Sequence, residues 1–367
     1  MNTFAIIGAG NGGKATAADL ALQGKAVRLF EFPEFAANIA ELRQCPRLNA
    51  SGDVAGEAVL AGVTSDLAEA VEGADAIVVV TQATAHERVA TELAPIVRPN
   101  QFVLLNPGST GGSLEFARVF REHGVQELPL LGETGTLTYG CRGTASDVNV
   151  YLKVRRVVYG TFPADRSGEV ADELEALFPG LVRVADVLAA GLTNANPVIH
   201  PAITILNAAR IEKEGPGMHF YRDGVSPSVA KLIEKVDRER MALMTTLGYS
   251  PQTDAKTSKQ QGYAESEDYY ECYARGEVFG GFTSPNTLDH RYFHEDIGMG
   301  LVLFCTLGKL LGVAMPAAEA ILHMGSVIQG IDYIAKAGRS LESLGVDGLS
   351  VPELKQYLKT GIASHSP

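Results

Sequence analysis

The sequence has few of the features that mark secreted or membrane proteins. Its four cysteines, Cys45, Cys141, Cys272 and Cys305, are scattered without C-x-x-C spacing. We therefore expect reduced thiols in a cytoplasmic protein. No uninterrupted apolar run reaches the roughly 18 residues of a membrane span. The N-terminal residues lack the basic and apolar regions of a signal peptide, so we expect neither export nor a membrane partner.

Positive charge is also scarce. The 31 lysines and arginines face 43 acidic residues, which gives a net charge of −12. An excess of negative charge disfavours nucleic acid or an anionic membrane as a partner. The 46% hydrophobic and 20% charged residues are typical of a globular protein, and 367 residues suffice for two domains.

Glycine, by contrast, is concentrated near the start of the chain. The apolar run 4–7 leads into Gly8-Ala9-Gly10-Asn11-Gly12-Gly13, and a helical pattern follows as far as Gly24. A strand, G-x-G-x-x-G and a helix in this order form the dinucleotide-binding fingerprint, in which amides at the helix start meet the pyrophosphate. We predict that Gly8, Gly10, Asn11, Gly12 and Gly13 bind a dinucleotide. The alternative is a glycine-rich turn that binds nothing.

A second apolar run, 26–30, ends at Glu31, which stands 18 residues after Gly13. This spacing is close to the roughly 20 residues expected for the acid that binds the adenosine ribose hydroxyls. A carboxylate at this position would repel a 2′-phosphate. We therefore predict NAD as the cofactor, with NADP as the alternative.

Short apolar runs alternate with helical patterns through the first half, which predicts a parallel sheet with crossover helices. Ligands of such sheets lie beyond the carboxyl ends of the strands. Thr81 follows the buried run 76–80, and Asn106-Pro107-Gly108 follows the run 102–105. We predict that Thr81, Asn106 and Gly108 also bind the cofactor; a flexible connector is the alternative for the second loop. The apolar runs 128–132 and 148–162 are expected to extend the sheet.

Beyond about residue 186 the pattern changes to long helical stretches, among them 197–212, 228–247 and 317–337. The fold class is therefore predicted as α/β, with an N-terminal Rossmann-type, doubly wound sheet domain and a mostly α-helical domain. We place the NAD(P)-binding domain at residues 1–187 and the helical substrate-binding and catalytic domain at 188–367. The apolar helices of the second half allow a homodimer.

Two stretches of the helical half carry candidate catalytic groups. His200 lies near its start, and histidine is the side chain best matched to proton transfer near neutral pH; a structural histidine is the alternative. In the polar stretch 285–298, Arg291 could clamp a substrate carboxylate and Asp296 could orient His200. Capping of the following helix is the alternative for the acids.

A metal site competes for this second stretch, because His290 and His294 stand four residues apart. The order H-E-x-x-H of zinc proteases is absent, and Glu295 follows the second histidine instead. We therefore predict no metal.

With these motifs the chain resembles the opine dehydrogenase family, which includes octopine, nopaline and N-(1-D-carboxyethyl)-L-norvaline dehydrogenases. The matching segments are GAGNGG at Gly8–Gly13, NPG at Asn106–Gly108, ETGTLTYGCR at Glu133–Arg142, NPVIHP at Asn196–Pro201 and RYFHED at Arg291–Asp296. The resemblance implies a nucleotide-binding domain joined to a helical domain, and a reductive condensation of an amino acid with a 2-oxo acid that uses NAD(P)H.

By the same resemblance, His200 matches the catalytic histidine of the family and Asp296 the aspartate paired with it. Arg291 matches the arginine that binds the carboxylate of the oxo acid. No cluster of acids is evident for a guanidinium substrate, so we expect a neutral amino acid with pyruvate or a similar oxo acid.

Two other functions would fit parts of the same pattern. A 2-oxo acid reductase of the ketopantoate reductase type would carry a lysine on the interdomain helix, but here that helix offers His200 and no lysine before Lys213. A non-catalytic nicotinamide-sensing protein would leave His200, Arg291 and Asp296 without a purpose, and no DNA-binding signal is present.

Overall fold

The structure is a computed structural model that describes residues 1–336 and 339–362. The chain forms two compact units, of which one comprises Met1–Gly191 with the C-terminal segment that starts at Gln356, and the other Leu192–Lys355. The predicted division after residue 187 lies four residues before the boundary of these two units, and the predicted second domain includes the segment from Gln356. The domain bounds stay a prediction.

The first unit alternates strands and helices. Its strands are β1 (Thr3–Ile7), β2 (Ala26–Phe30), β3 (Arg47–Gly52), β4 (Gly56–Val59), β5 (Gly62–Thr64), β6 (Ala76–Val79), β7 (Phe102–Leu105), β8 (Leu130–Thr134), β9 (Tyr139–Gly143), β10 (Asp147–Lys153), β11 (Val157–Phe162) and β12 (Leu181–Arg183). Its helices are α1 (Asn11–Leu22), α2 (Ala40–Gln44), α3 (Leu67–Val71), α4 (His86–Leu93), α5 (Gly112–Glu122), α6 (Ala171–Leu177) and α7 (Val187–Gly191).

Eight strands form one sheet in the order β12-β11-β8-β7-β6-β1-β2-β5. The strands from β8 to β5 in this order are parallel, and β11 joins antiparallel to β8. The order β5-β2-β1-β6-β7-β8 is the one found in doubly wound dinucleotide-binding folds, in which the direction of winding reverses next to β1. The predicted Rossmann-type sheet is confirmed.

A second, smaller sheet has the order β4-β3-β10-β9. Its presence corrects the expectation that the whole run 148–162 extends the main sheet, because β10 pairs with β3 and β9 and only β11 enters the main sheet. The burial of β10 alternates along the strand. Such alternation suits a sheet with one covered and one open face, whereas strands inside a parallel sheet are buried on both faces.

The second unit is helical, as predicted. Its helices are α8 (Asn196–Leu206), α9 (Ala208–Glu214), α10 (Phe220–Gly224), α11 (Pro227–Thr246), α12 (Asp254–Gln261), α13 (Tyr269–Arg275), α14 (Arg291–His294), α15 (Val302–Leu311) and α16 (Pro316–Gln329), and α17 (Val351–Thr360) closes the described chain. Within residues 1–336 and 339–362, no helix combines the length and low polarity needed to cross a bilayer.

Two predicted helices differ from expectation, because one is interrupted and the other ends early. The helix expected over 197–212 breaks at Asn207, whose side-chain amide donates to the carbonyl oxygens of Ile203 and Gly224. The helix expected over 317–337 ends at Gln329 because Gly330 adopts a left-handed conformation with φ 64°. Its predicted end at Ala337 lies outside the described residues.

A buried ionic cluster ties the helices of the second unit together. The guanidinium of Arg240 donates to Asp237 at 2.7 Å and to the carbonyl oxygens of Leu192 and Gln252. Asp254 donates its backbone N–H to Asp237. Burial, and then the neighbouring charge of Asp237, raise the pKa of Asp254 to about 7. The cluster thus contains two carboxyl groups, of Asp237 and Asp254, and one cation, Arg240.

Candidate functional site

The glycine loop after β1 has the geometry that a dinucleotide requires. Gly8 adopts φ 102°, and Gly10 caps α1 without a side-chain hydrogen bond to the first turn. A Cβ on Gly13 would lie 1.7 Å from the carbonyl oxygen of Gly8, so only glycine lets α1 start this close to the strand. A Cβ on Gly10 would meet nothing within 4 Å, which leaves its backbone open to a ligand. Amides at such a helix start bind phosphate groups.

Glu31 lies at the end of β2 beside this loop and is 6% exposed. One carboxylate oxygen accepts the Ala9 N–H at 3.1 Å and the side-chain amide of Asn38 at 3.2 Å, and the other accepts the Phe32 N–H at 3.0 Å. The carboxylate is therefore fixed against the loop. Its position fits the predicted contact with the adenosine ribose, which stays a prediction.

Thr81 also lies close to this loop, since a Cβ on Gly8 would be 3.1 Å from its methyl carbon. The hydroxyl of Thr81 is buried and has no hydrogen-bond partner among residues 1–336 and 339–362. Buried hydroxyl groups are nearly always hydrogen-bonded, so this one is a group that a bound ligand could satisfy. By contrast, the side-chain oxygen Oδ1 of Asn11 accepts the Gly143 N–H, and Gly12 packs against Leu137.

The second loop uses its polar groups internally. The Asn106 side chain donates to Thr138 Oγ1 at 2.8 Å and accepts from the Thr134 hydroxyl at 3.1 Å, and the Gly108 N–H donates to the Thr134 carbonyl oxygen. The Glu133 carboxylate accepts the N–H groups of Gly111 and Ser113 at the start of α5. These bonds shape the loop without a ligand, so a part for Asn106 and Gly108 in cofactor binding stays a prediction.

In the second unit, the structure brings His200 and Asp296 together. His200 Nδ1 lies 2.7 Å from Asp296 Oδ2, and the two side chains are 6% and 1% exposed. His200 is on α8, and Asp296 opens a π-helical turn, Asp296–Leu301, between α14 and α15. A Cβ on Gly300 would lie 2.2 Å from Pro197, so glycine there lets the π-helical turn approach α8. Such turns are frequent at functional sites.

Tyr221 is a functional candidate to which the sequence assigns no catalytic role. Its hydroxyl lies 2.7 Å from His200 Nε2, so both nitrogens of the imidazole are hydrogen-bonded. The ring of Tyr292 covers the imidazole, with 4.2 Å between centroids. Burial, and then the nearby Tyr292 and Asp296, hold the pKa of Tyr221 well above its ordinary value. The phenol therefore stays neutral. No motif or spacing in the sequence relates Tyr221 to His200.

Arg291 begins α14, and its Nε lies 3.2 Å from Glu295 Oε2. Burial lowers the pKa of Arg291, but Glu295 and Asp296 together outweigh burial and raise it, so the guanidinium stays charged. The side chain is 37% exposed. A guanidinium has five N–H donors, so one contact with Glu295 leaves donors for a substrate carboxylate.

The two neighbouring histidines have other partners. His290 Nδ1 accepts the Tyr292 N–H at the start of α14, and burial, followed by the charges of Arg291 and His200, lowers the pKa of His290 to about 4. His294 bonds to Asp289 at 2.7 Å and to the Tyr333 hydroxyl at 2.9 Å. Within the part of the chain that the structure describes, no three acidic, histidine or cysteine side chains are grouped to hold a metal ion.

Comparison with known proteins agrees with this geometry. Residues 183–329 match the family model for the α-helical domain of NAD/NADP octopine/nopaline dehydrogenases, and residues 3–111 match the N-terminal model of NAD-dependent glycerol-3-phosphate dehydrogenases. An opine dehydrogenase from Arthrobacter sp. strain 1C is 35% identical over 97% of this chain and 99% of its own length. The chain belongs to the opine dehydrogenase family.

Solved structures of the family share the fold. Octopine dehydrogenase in complex with NADH and agmatine matches with a TM-score of 0.79 at 17% identity and covers 100% of both chains. Yersinopine dehydrogenase with bound NADP⁺ matches with a TM-score of 0.73 at 17% identity and covers 98% of both chains.

Family membership confirms the prediction of an NAD(P)-dependent oxidoreductase that acts on CH–NH groups. It also favours this activity over the ketopantoate reductase and nicotinamide-sensing alternatives. The dinucleotide fits the observed glycine loop, in which the amides at the start of α1 would hold the pyrophosphate and Glu31 the adenosine ribose.

Proposed function

We propose that this opine dehydrogenase condenses an L-amino acid with a pyruvate-like 2-oxo acid and reduces the product reversibly to an N-(1-carboxyalkyl)amino acid. The observation that carries the proposal is the buried pair of His200 and Asp296, with the permanently charged Arg291 five residues from Asp296 in the chain. The first unit, expected at residues 1–187, serves as the NAD(P)-binding domain. The second, expected at 188–367, binds the substrates and carries the catalytic groups.

Each of these three side chains has a defined task. Arg291 binds the carboxylate of the oxo acid, because a fixed cation offsets the cost of burying an anion. Asp296 fixes the ring of His200 and stabilises its cationic form. His200 takes a proton from the ammonium group of the amino acid, so that the amine can attack, and returns it when water leaves. When bound, NAD(P)H supplies the hydride for the carbon of the resulting iminium.

The amino acid is proposed to have a neutral side chain. The acids around the catalytic groups are engaged: Asp296 with His200, and Glu295 with Arg291. Deeper in the unit, Asp237 is paired with Arg240, and Asp254 accepts the hydroxyl of Tyr273. A guanidinium or ammonium side chain would have to compete with these partners for the carboxylates, which disfavours arginine and lysine.

The test is a matrix of amino acids against oxo acids, followed by NADH absorbance. NADH should be oxidised only when both substrates are present, and neutral amino acids should exceed arginine. Equal turnover with an oxo acid alone would identify a plain 2-oxo acid reductase and contradict the proposal. Mass spectrometry of the product checks that the two substrates have been joined.

A homodimer in the cytoplasm is proposed as well. Met324, Val327, Ile328 and Ile334 are exposed apolar side chains on α16 and just beyond it, and such groups of apolar side chains often mark protein interfaces. Light scattering after size exclusion should give twice the chain mass, and Val327→Asp should give a monomer. Recovery of the native protein in a membrane or secreted fraction would contradict the proposed location.

A further inference from the structure

The ring of Tyr221 is held rigidly by other aromatic rings. Its centroid lies 4.7 Å from that of Phe279, 5.7 Å from that of Phe282 and 6.4 Å from that of Tyr273, and the residue is 6% exposed. This packing fixes the hydroxyl at His200 Nε2, the imidazole nitrogen that Asp296 leaves for proton exchange. The Tyr221 hydroxyl therefore lies between His200 Nε2 and a substrate, so the substrate would contact Tyr221 and not Nε2 itself.

The positions of the hydrogen atoms along the series of hydrogen bonds from Asp296 through His200 to Tyr221 follow from which groups can donate and which can accept. An ionised Asp296 only accepts, so His200 Nδ1 carries a hydrogen and the neutral ring accepts the Tyr221 O–H at Nε2. When His200 is protonated, Nε2–H donates to the phenol oxygen, and the phenol hydrogen must find another acceptor. Within the described residues, the structure gives the Tyr221 hydroxyl no hydrogen bond besides that to His200. A substrate oxygen would supply the acceptor.

We propose that Tyr221 is a catalytic residue that carries the proton between His200 and the reacting oxygen of the substrate. This inference rests on the proposed condensation. When the carbinolamine loses water, its C–O bond breaks and the leaving oxygen takes the Tyr221 proton. The phenol oxygen then takes the proton from His200 Nε2, and the nitrogen lone pair forms the C=N bond. The positive charge of the imidazolium thus passes to the iminium, and nothing is oxidised or reduced in this step.

The groups around His200 favour this route. The ionisable side chains with a contact or charge interaction at its ring include Asp296, Tyr221, Tyr292 and His290. Arg291 interacts with Asp296, Tyr292 and Tyr221. Arg291 stays charged, and His290, with a pKa of about 4, stays neutral in the assay range. Tyr221 itself stays protonated. The phenol therefore keeps the proton that it passes to the substrate.

The experiment compares Tyr221→Phe with Tyr333→Phe. Phenylalanine fits the aromatic surroundings of residue 221, and Tyr333 makes the same kind of hydrogen bond to a different histidine, His294. We expect Tyr221→Phe to lower kcat by roughly 10²–10⁴-fold, the usual contribution of a proton-transfer group. Its NADH dissociation constant and melting temperature should stay near those of the wild type, and Tyr333→Phe should keep full turnover.

The pH profile separates a catalytic role from a structural one. We expect a limb in the wild-type profile of kcat against pH, because turnover needs the proton that Tyr221 passes on, and we expect this limb to be lost in Tyr221→Phe. Turnover within threefold of the wild type, or a uniformly lowered profile that keeps the limb, would overturn the role of Tyr221. So would an equal loss in Tyr333→Phe. The proposed function fails separately, if the wild type oxidises NADH without needing both substrates.

Discussion

Replacement of Arg291 by lysine tests the carboxylate site most directly. Arginine can bind a carboxylate through two parallel N–H donors, whereas lysine offers one point charge. Glu295, 3.2 Å from Nε, leaves the other edge of the guanidinium for this contact. The variant keeps the charge and loses one charge-assisted hydrogen bond. The cost of that loss is about 1.5–3 kcal/mol in a buried site.

Because the Arg291 side chain is 37% exposed, solvent screens part of this energy. We therefore expect the lower end of the range, which corresponds to a rise of roughly 10- to 30-fold in KM for the oxo acid. The value of kcat should change much less, since the lost contact is made before and during the reaction alike. The assay is NADH oxidation with a varied oxo acid at saturating amino acid.

Arg210→Lys is the matched control. Arg210 pairs with Glu214 at the same four-residue spacing as Arg291 with Glu295, but on the surface of α9. Arg210→Lys should leave KM for the oxo acid and KM for the amino acid unchanged. An unchanged KM for the oxo acid in Arg291→Lys would remove Arg291 from the carboxylate site. If Arg291→Lys raised KM for the amino acid equally, the substitution would have disturbed the whole substrate site and not the carboxylate contact alone.

Three further predictions concern the other candidate groups. His200→Ala should lower turnover roughly 10²–10⁴-fold with NADH affinity retained, and normal turnover would contradict its role. Glu31→Gln should weaken NADH and shift preference toward NADPH in fluorescence titrations, because a charge that repels the 2′-phosphate is lost; an unchanged ratio argues against the ribose contact. The raised pKa of Asp254 stabilises the fold below about pH 4 and less so as pH rises toward 7. Urea unfolding of Asp254→Asn should lack this decline, whose limiting slope is about 1.4 kcal/mol per pH unit, and an unaltered slope would exclude Asp254 as its source.

The parts of the fold that the sequence predicts are those encoded by neighbouring residues. The strand, glycine loop and helix of residues 3–22 form one contiguous pattern, and each glycine restricts what the backbone can do there. The buried strand 102–105 is bounded by polar residues and was predicted with its observed limits. The small sheet was missed, because β3 and β10 are separated by about a hundred residues and pair only in the folded chain.

The candidate site likewise contains residues that the sequence predicts and contacts that it does not predict. The chemistry of histidine, arginine and aspartate is known from the residue type alone. His200, Arg291 and Asp296 could therefore be proposed from residue type and resemblance. The sequence did not predict that the Asn106 side chain would form hydrogen bonds with Thr134 and Thr138, because those bonds depend on the pairing of β7 with β8. The sequence assigns no catalytic role to Tyr221 either, since a buried tyrosine is usual in any core.

The sequence by itself thus determined the kind of cofactor and the family of reactions, because short motifs encode the local backbone geometry that binds a dinucleotide. Only the tertiary structure decided which groups touch one another. His200 and Asp296 stand 96 residues apart and meet because a π-helical turn with glycine at position 300 packs closely on α8. The hydroxyl of Tyr221 completes the chain of hydrogen bonds because aromatic packing, which has no sequence period, fixes its ring.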